Sequence, residues 1–523
     1  QRAPVHQSFD LRVPWMPELP GQLHLPEGRE RAAFGLADEP RLQRQVPILF
    51  DPATDGSMMV LGGPRSGKTT TLAMVAATLA EDLPVDDLHV YGLDCGGRAL
   101  SAIEGLPHTG SVVPGDDGER TTQLLATLGR MLQRRRDLAS DLGASHFDEL
   151  RERASTPVPR VLVLVDDYGG FTERYERVES GRMLDDLRSL VSEGPTFGVH
   201  FVVSADRRGA IPMSVGAAIT RRLVHRMADR DEYSRAGLPM KLAEVDIVPG
   251  RAFTEDGVEI QVATWVDGSA DTLPAAIARR GAELAQRHPA PTTAPTGVAQ
   301  LPALVPRAAG PAGVPPWHAF LGLRENELAP AVVNLIDGNF VVAGPYRSGR
   351  SSTIATIASG IAASTPEVQL HLIAPRRTLA EHAAPWTKIV RTDDPADVVQ
   401  YVETLLDLAD GDVPIFLAVD DATEVDPRGI SGLEQLIKQA RDLPMRVVIG
   451  ADAQALRTSY APWHVQMRKD GQGMLLAPNL ETDGDLLGVR LPWRRALTFP
   501  KGRGILVENG QHELVQVAHD AAG

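Results

Sequence analysis

The chain has 523 residues, 43% of them apolar and 23% charged, a formal net charge of −15 and one cysteine, Cys95. At ~150 residues per domain this length predicts two to four domains. A lone cysteine excludes an internal disulfide framework or a cysteine-built metal site and fits a reducing compartment. No run of ~18 apolar residues offers a membrane span. Acidic balance in both halves argues against nucleic acid as the partner, because such affinity comes largely from neutralising phosphates.

The opening stretch, residues 1–30, includes PWMPELPGQLHLPEG and reads as a linker from a preceding domain. It has no initiator Met and no charged-then-apolar leader pattern, so the expectation is a piece of a longer chain.

From residue 31, short apolar runs alternate with helical patterns. The runs are Met58–Leu61, His89–Leu93, Val161–Val165 and His200–Ser204; the helical segments include Thr70–Glu81 and Thr121–Leu138. Such alternation predicts an α/β domain, with a mostly parallel central sheet and helices on both faces. Strands that are apolar throughout are those buried on both faces.

Between the first run and the first helix, Gly62, Gly63, Pro64, Arg65, Ser66, Gly67, Lys68 and Thr69 match GxxxxGK[ST], the Walker A pattern. Its glycines let backbone amides face a nucleotide's phosphates, and the helix that follows, opened by Thr70, presents its positive end. Lys68 meets the β and γ phosphates and Thr69 offers a hydroxyl to magnesium. The expected cofactors are therefore ATP and Mg2+.

Asp166 and Asp167 follow the Val161–Val165 run as a Walker B strand would place them. Asp166 is expected to reach the Mg2+ shell through water. Asp167 occupies the position that polarises an attacking water, one methylene shorter than the common Glu. Ser204, ending its strand, is the candidate γ-phosphate sensor. Arg222 is the candidate arginine finger toward a neighbouring subunit.

Residues 286–316 are rich in Pro, Ala and Thr and almost uncharged, the composition of an extended, semi-rigid linker. Beyond it the chain repeats itself. SMMVLGG at 57–63 is answered by NFVVAG at 339–344, VLVLVDDYGGF at 161–171 by IFLAVDDATEV at 415–425, and HFVVSADRR at 200–208 by RVVIGADAQ at 446–454. A spacing of about 250 to 285 residues is too long for a solenoid and predicts two tandem domains of one fold, at 31–285 and 317–523.

The second copy is degenerate. Gly344, Pro345, Tyr346, Arg347, Ser348, Gly349, Arg350 and Ser351 keep the loop pattern, but Arg350 stands where Lys68 stands in the first. A planar guanidinium is a poor replacement for a compact ammonium beside phosphate. Asp420 and Asp421 keep the acidic pair, and Gly450 takes the place of Ser204. Only 70 residues separate Arg350 from Asp420, against 98 from Lys68 to Asp166; the missing piece corresponds to helices around Arg120–Arg153. Residues 344–351 form a second candidate cofactor-binding loop. The expected domain binds nucleotide weakly or not at all and serves as a docking or regulatory surface.

The Walker A loop, LDCGGRALSAIEGLPHTGSVV at 93–113, ERTTQLLATLGRMLQRRRDL at 119–138 and the acidic strand tip resemble the FtsK/SpoIIIE class of motor ATPases. The LDCGG…LPHTGSVV stretch is particularly similar to the EccC family of type VII secretion. The resemblance covers about residues 30–520 and implies two RecA-like P-loop NTPase domains, the last two of three. It further implies a cytoplasmic position at the inner membrane face, reached through preceding domains or a membrane-anchored partner. It implies recognition of a secreted protein's C-terminal signal, partly by the last domain, and a hexamer when active. Asp167 and Arg350 depart from the pattern. Two alternatives stand beside this reading: an FtsK-class DNA translocase, and a nucleotide-gated scaffold with negligible hydrolysis.

Overall fold

The computed structural model describes residues 16–519 except 27, 245–246, 269–270, 288–289, 299, 326–327, 383, 393, 411–412, 431 and 492–496. Most of the opening linker, residues 1–15, lies outside the described residues. The chain forms two compact units, residues 1–298 and 299–523.

The first unit is built on ten strands: β1 (Ala33–Glu39), β2 (Arg44–Leu49), β3 (Met58–Leu61), β4 (Leu88–Asp94), β5 (Thr109–Pro114), β6 (Arg160–Asp166), β7 (Val199–Ala205), β8 (Arg221–His225), β9 (Arg251–Thr254) and β10 (Glu259–Val262). They form one sheet in the order β2-β1-β10-β9-β8-β3-β7-β6-β4-β5. From β8 to β5 neighbouring strands run parallel. From β8 outward through β9, β10, β1 and β2 they run antiparallel. The expected apolar runs are all parallel strands of the centre. The antiparallel flank escapes a search for uniformly apolar runs, because strands such as β2 keep exposed and half-buried positions.

Period-two alternation divides the core. On β6, Val161, Val163 and Val165 pack on one face of the sheet, and Leu162 and Leu164 on the other. Each side chain removed from water in this way contributes roughly 1.5–3 kcal/mol. One face is covered by helices that include Gly118–Leu142 and Arg182–Glu193, the other by Lys68–Asp82, whose residues 71–80 are buried.

The second unit repeats this plan strand for strand: β11 (His318–Arg324), β12 (Pro330–Asn334), β13 (Phe340–Ala343), β14 (Gln369–Ala374), β15 (Lys388–Arg391), β16 (Ile415–Val419), β17 (Met445–Ala451), β18 (Gly473–Leu476), β19 (Arg503–Glu508) and β20 (Gln511–Val517). Their order is β12-β11-β20-β19-β18-β13-β17-β16-β14-β15. Between β15 and β16 runs one helix of 16 residues, Pro395–Asp410, where the first unit has Gly118–Leu142 of 25 residues plus Phe147–Arg153. This accounts for the shorter spacing between the second pair of motifs.

The repeat extends into the segment before each domain. Arg251, opening β9, donates through Nη2 to the carbonyl of Leu19 at 2.7 Å and through Nε to Gln261 at 2.9 Å. Arg503, opening β19, donates likewise to Leu301 at 2.6 Å and to Gln516 at 3.2 Å. The residues around Leu19 and Leu301 thus dock on equivalent places. Further along, Thr293 and Val298 bond back to Asp86 and Ser111 of the first unit.

Candidate functional site

The loop between β3 and helix Lys68–Asp82 is held from below by neighbouring strand ends. Gly62 N–H donates to the carbonyl of Ala205, the last residue of β7, and Gly63 N–H to the Arg226 carbonyl just after β8, at 3.1 and 2.7 Å. Gly67 turns into the helix at φ 109°, and a Cβ there would lie 2.8 Å from Gly250 N, so glycine is required twice over. Gly250 N–H in turn donates to Ser66 O at 3.1 Å. Arg65, at φ 56°, and Pro64 lie on the exposed side, while Thr69 and Thr70 are half-buried in the first helical turn.

Beneath the loop sits His225, the last residue of β8 and fully buried. Its Nδ1 lies 3.0 Å from the Arg251 carbonyl and its Nε2 2.9 Å from the Thr71 hydroxyl. That hydroxyl is also 3.0 Å from Gly67 O. Burial pushes the imidazole pKa down to about 4, so the ring is neutral. Nδ1, facing a carbonyl, carries the proton.

Two of the expected residues converge on a third, the Asp166 carboxylate. Asp166, at the tip of β6 and 3% exposed, accepts from Thr69 Oγ1 at 2.7 Å and from Ser204 Oγ at 2.5 Å. Burial raises its pKa, opposed by those two hydroxyls. Lys68 Nζ donates to the carbonyls of Gly62 at 2.6 Å and Gly63 at 3.0 Å. Burial lowers its pKa, opposed by Asp166, Asp167 and Asp206.

Asp167 is held by both its backbone and its carboxylate. Its backbone is left-handed at φ 62°, and its N–H donates to Ser204 Oγ at 2.9 Å. Its carboxylate accepts from Gly170 N–H at 3.1 Å and so caps helix Tyr168–Tyr175. Arg222 lies outside this cluster. It pairs with Met59 in the middle of the sheet, and its guanidinium donates to the Ala236 carbonyl of its own unit.

Sequence reasoning missed Asp94, the last residue of β4 and register partner of Asp166. Its carboxylate accepts the backbone N–H groups of Gly96, Gly97, Arg98 and Leu100 at 2.8–3.2 Å. A Cβ on Gly96 would come 2.9 Å from Asp166 Oδ2. The LDCGG segment therefore builds the wall beside the Walker B carboxylate. The acid two residues before a Gly-Gly pair was the available signal.

These residues fit a magnesium nucleotide. The loop has its backbone shape, and Ser66 Oγ is buried without a hydrogen-bond partner among the described residues, as is Ser348 Oγ in the second loop; a Cβ on Gly62 would meet the Ser66 oxygen at 2.5 Å. Thr69 and Asp166 stand together as a hard oxygen pair suited to Mg2+.

The second loop keeps the backbone and changes the side chains. Arg347 and Gly349 turn at φ 65° and 112°, as Arg65 and Gly67 do at 56° and 109°. Gly502 N–H donates to Ser348 O at 2.9 Å. Ser351 donates to Asp420 at 2.6 Å, with Thr378 as the second hydroxyl at 2.6 Å. Gly450 pairs with Val342 as Ser204 pairs with Val60. A Cβ on Gly450 would lie 2.6 Å from Ile354 Cδ1, so the sensor position is filled by that isoleucine. Tyr346 is 74% exposed and lies under the Arg347 guanidinium. Pro345 replaces Gly63 and brings no N–H to the loop.

Residues 32–269 match the FtsK/SpoIIIE family model. That match lies within the first unit. Over 94% of its length the chain is 27% identical to the ESX secretion system protein EccC of Thermomonospora curvata. Over 93% it is 26% identical to the ESX-4 secretion system protein EccC4 of Mycobacterium tuberculosis. It spans about two-fifths of these relatives' length, 39% and 40%. Two solved structures share the fold of both units. One is T. curvata EccC (ATPases 2 and 3) in complex with a signal sequence peptide, with TM-score 0.67, 24% identity, and coverage of 96% of this chain and 95% of that one. The other is EssC (ATPases 2 and 3) of Geobacillus thermodenitrificans, with TM-score 0.78, 20% identity, and coverage of 96% and 100%. The fold is therefore two tandem P-loop NTPase domains, each with a mostly parallel central sheet, as in the paired ATPase domains of EccC proteins.

Proposed function

We propose that this chain is the ATP-binding module of a type VII (EccC-like) protein-secretion motor. The observation that carries the proposal is the cluster Thr69–Asp166–Ser204 beside a complete Walker A loop, in a unit followed by a degenerate twin. The loop amides and Lys68 would hold the β and γ phosphates of ATP. Thr69 would ligate Mg2+, and Asp166 would reach it through water. Bound Mg2+ would supply charge neutralisation on the phosphates. Ser204 links the Asp166 carboxylate to the Asp167 backbone N–H, and so ties the phosphate side of the site to the turn that carries Asp167.

Hydrolysis is slow in this reading, because the Asp167 carboxylate is engaged at Gly170 and must leave that cap to orient water. Arg222 would serve a neighbouring subunit's nucleotide only after releasing Ala236. The second domain would bind the C-terminal signal of a secreted protein; the peptide in the T. curvata structure supports this. The working assembly would be a hexamer at the cytoplasmic face of the membrane, reached through preceding domains or an anchored partner. No helix among the described residues is long and apolar enough to cross a membrane.

The test is phosphate release by the purified chain beside Lys68→Ala and Asp167→Asn. The motor reading expects slow release, abolished by Lys68→Ala and reduced at least tenfold by Asp167→Asn. Release at background rate from a chain that retains ATP would favour a scaffold. Turnover stimulated by duplex DNA would make it a DNA translocase.

A further inference from the structure

The two loops differ in what their cation touches. Among the described residues, Lys68 donates to the loop carbonyls of Gly62 and Gly63. Arg350, at the same position, donates through Nη1 to Gly344 O at 2.9 Å and through Nη2 to Asp421 Oδ1 at 2.5 Å. Asp421 is the counterpart of Asp167, with the same left-handed backbone at φ 52°. Unlike Asp167 it gives no side-chain cap to the helix behind it. Its other oxygen accepts from Arg376 at 3.1 Å, and Arg376 also pairs with Glu424. Both members of the central pair are largely shielded, with side-chain exposures of 11% and 16%.

We propose that Arg350 and Asp421 form a built-in pin that closes the second loop. The guanidinium spans from the loop carbonyl to the acidic strand tip, the two groups beside which a working P-loop would hold phosphates and magnesium. The two guanidinium arms divide between that carbonyl and the Asp421 carboxylate, and the second is a charge-assisted hydrogen bond, stronger than a neutral one. Pulling the fork away would leave a half-buried carboxylate without its nearest cation, which is costly. Gly450 offers no sensor hydroxyl, and Ile354 fills the space where one would stand. The second domain thus keeps P-loop shape without taking nucleotide, and its surface stays constant while the first domain cycles. This inference rests on the proposal that the first loop is the ATP site.

The experiment measures bound ATP per full-length chain by equilibrium dialysis at saturating Mg-ATP, for wild type and Lys68→Ala. One nucleotide per wild-type chain and none in Lys68→Ala supports both readings. Two per chain, or one retained in Lys68→Ala, overturns the pin. None in wild type overturns the first-domain reading instead. A double-mutant cycle with Arg350→Met and Asp421→Asn, read by denaturant unfolding of the second domain, tests the pin without nucleotide. Each single change is expected to lower the folded-to-unfolded ratio on the order of tenfold, discounted from fully buried pairs for partial exposure. The double variant should lose no more than either single. Additive losses would overturn the pin.

Discussion

The Thr69 hydroxyl donates to the Asp166 carboxylate at 2.7 Å, across 97 residues of sequence. That contact joins Walker A to Walker B and leaves the second Asp166 oxygen to Ser204. The two hydroxyls face different partners beyond the carboxylate, Thr69 in the loop's helix and Ser204 toward Asp167. Thr69→Ala should weaken Mg-ATP binding on the order of tenfold, since hydrogen bonds to charged groups contribute about 1.5–3 kcal/mol. Ser204→Ala should leave binding within about threefold and lower turnover by ~10-fold or more. Nucleotide titration together with phosphate release checks this; equal binding losses in the two variants would refute the division of labour.

His225 makes the floor of the first loop sensitive to acid. Its folded pKa is about 4, against 6.5 for the free side chain, with burial as the main cause and the Lys68 charge adding to it. The unfolded chain therefore takes up a proton between these values that the folded chain refuses. Stability is full above about pH 6.5 and falls as pH drops toward 4. His89 and His200 of the same unit behave alike. Leu476 holds the corresponding register position in the second unit. His225→Leu should thus fold and bind about one proton fewer on unfolding in this window. Melting curves from pH 7 to 4.5 measure the slope; an unchanged slope would show that His225 is not a source of it.

Arg251 and Arg503 each fasten the segment before a domain. Arg251→Ala should free the backbone around Leu19 and Arg503→Ala the backbone around Leu301, each without effect on the other. Limited proteolysis reads this directly, as faster cleavage near residues 17–25 or 301–305 respectively. Unchanged cleavage would mean that these segments are held by other contacts.

Much of this arrangement was legible in the sequence, for physical reasons. Strands buried on both faces must be apolar throughout, so β3, β4, β6 and β7 stood out, and Gly67, Lys68 and Thr69 obey a spacing that phosphate binding imposes. Asp166 and Ser204 were readable as strand-end polar residues, and the structure puts them in contact. The antiparallel flank was not legible, because strands with mixed exposure lack a uniform pattern. Nor was the role of Asp94, which acts on backbone amides that any residue type presents. Asp167 was readable as the acid after the strand tip; its cap on Gly170 depends on a left-handed turn that the sequence does not announce. Arg350 was visible as a substitution, but its partner Asp421 came from 71 residues away. Gly450 was readable as a lost hydroxyl, while the cause, the Ile354 side chain in that space, needed the packing.

Hydrogen exchange of the full chain, with and without saturating Mg-ATP, tests the central claim most directly, because it reports each loop separately. ATP held at the first loop and excluded from the second predicts strong added protection of residues 62–75 and of the Asp166–Gly170 turn, with residues 344–357 unchanged. Absence of added protection at residues 62–75 would contradict it.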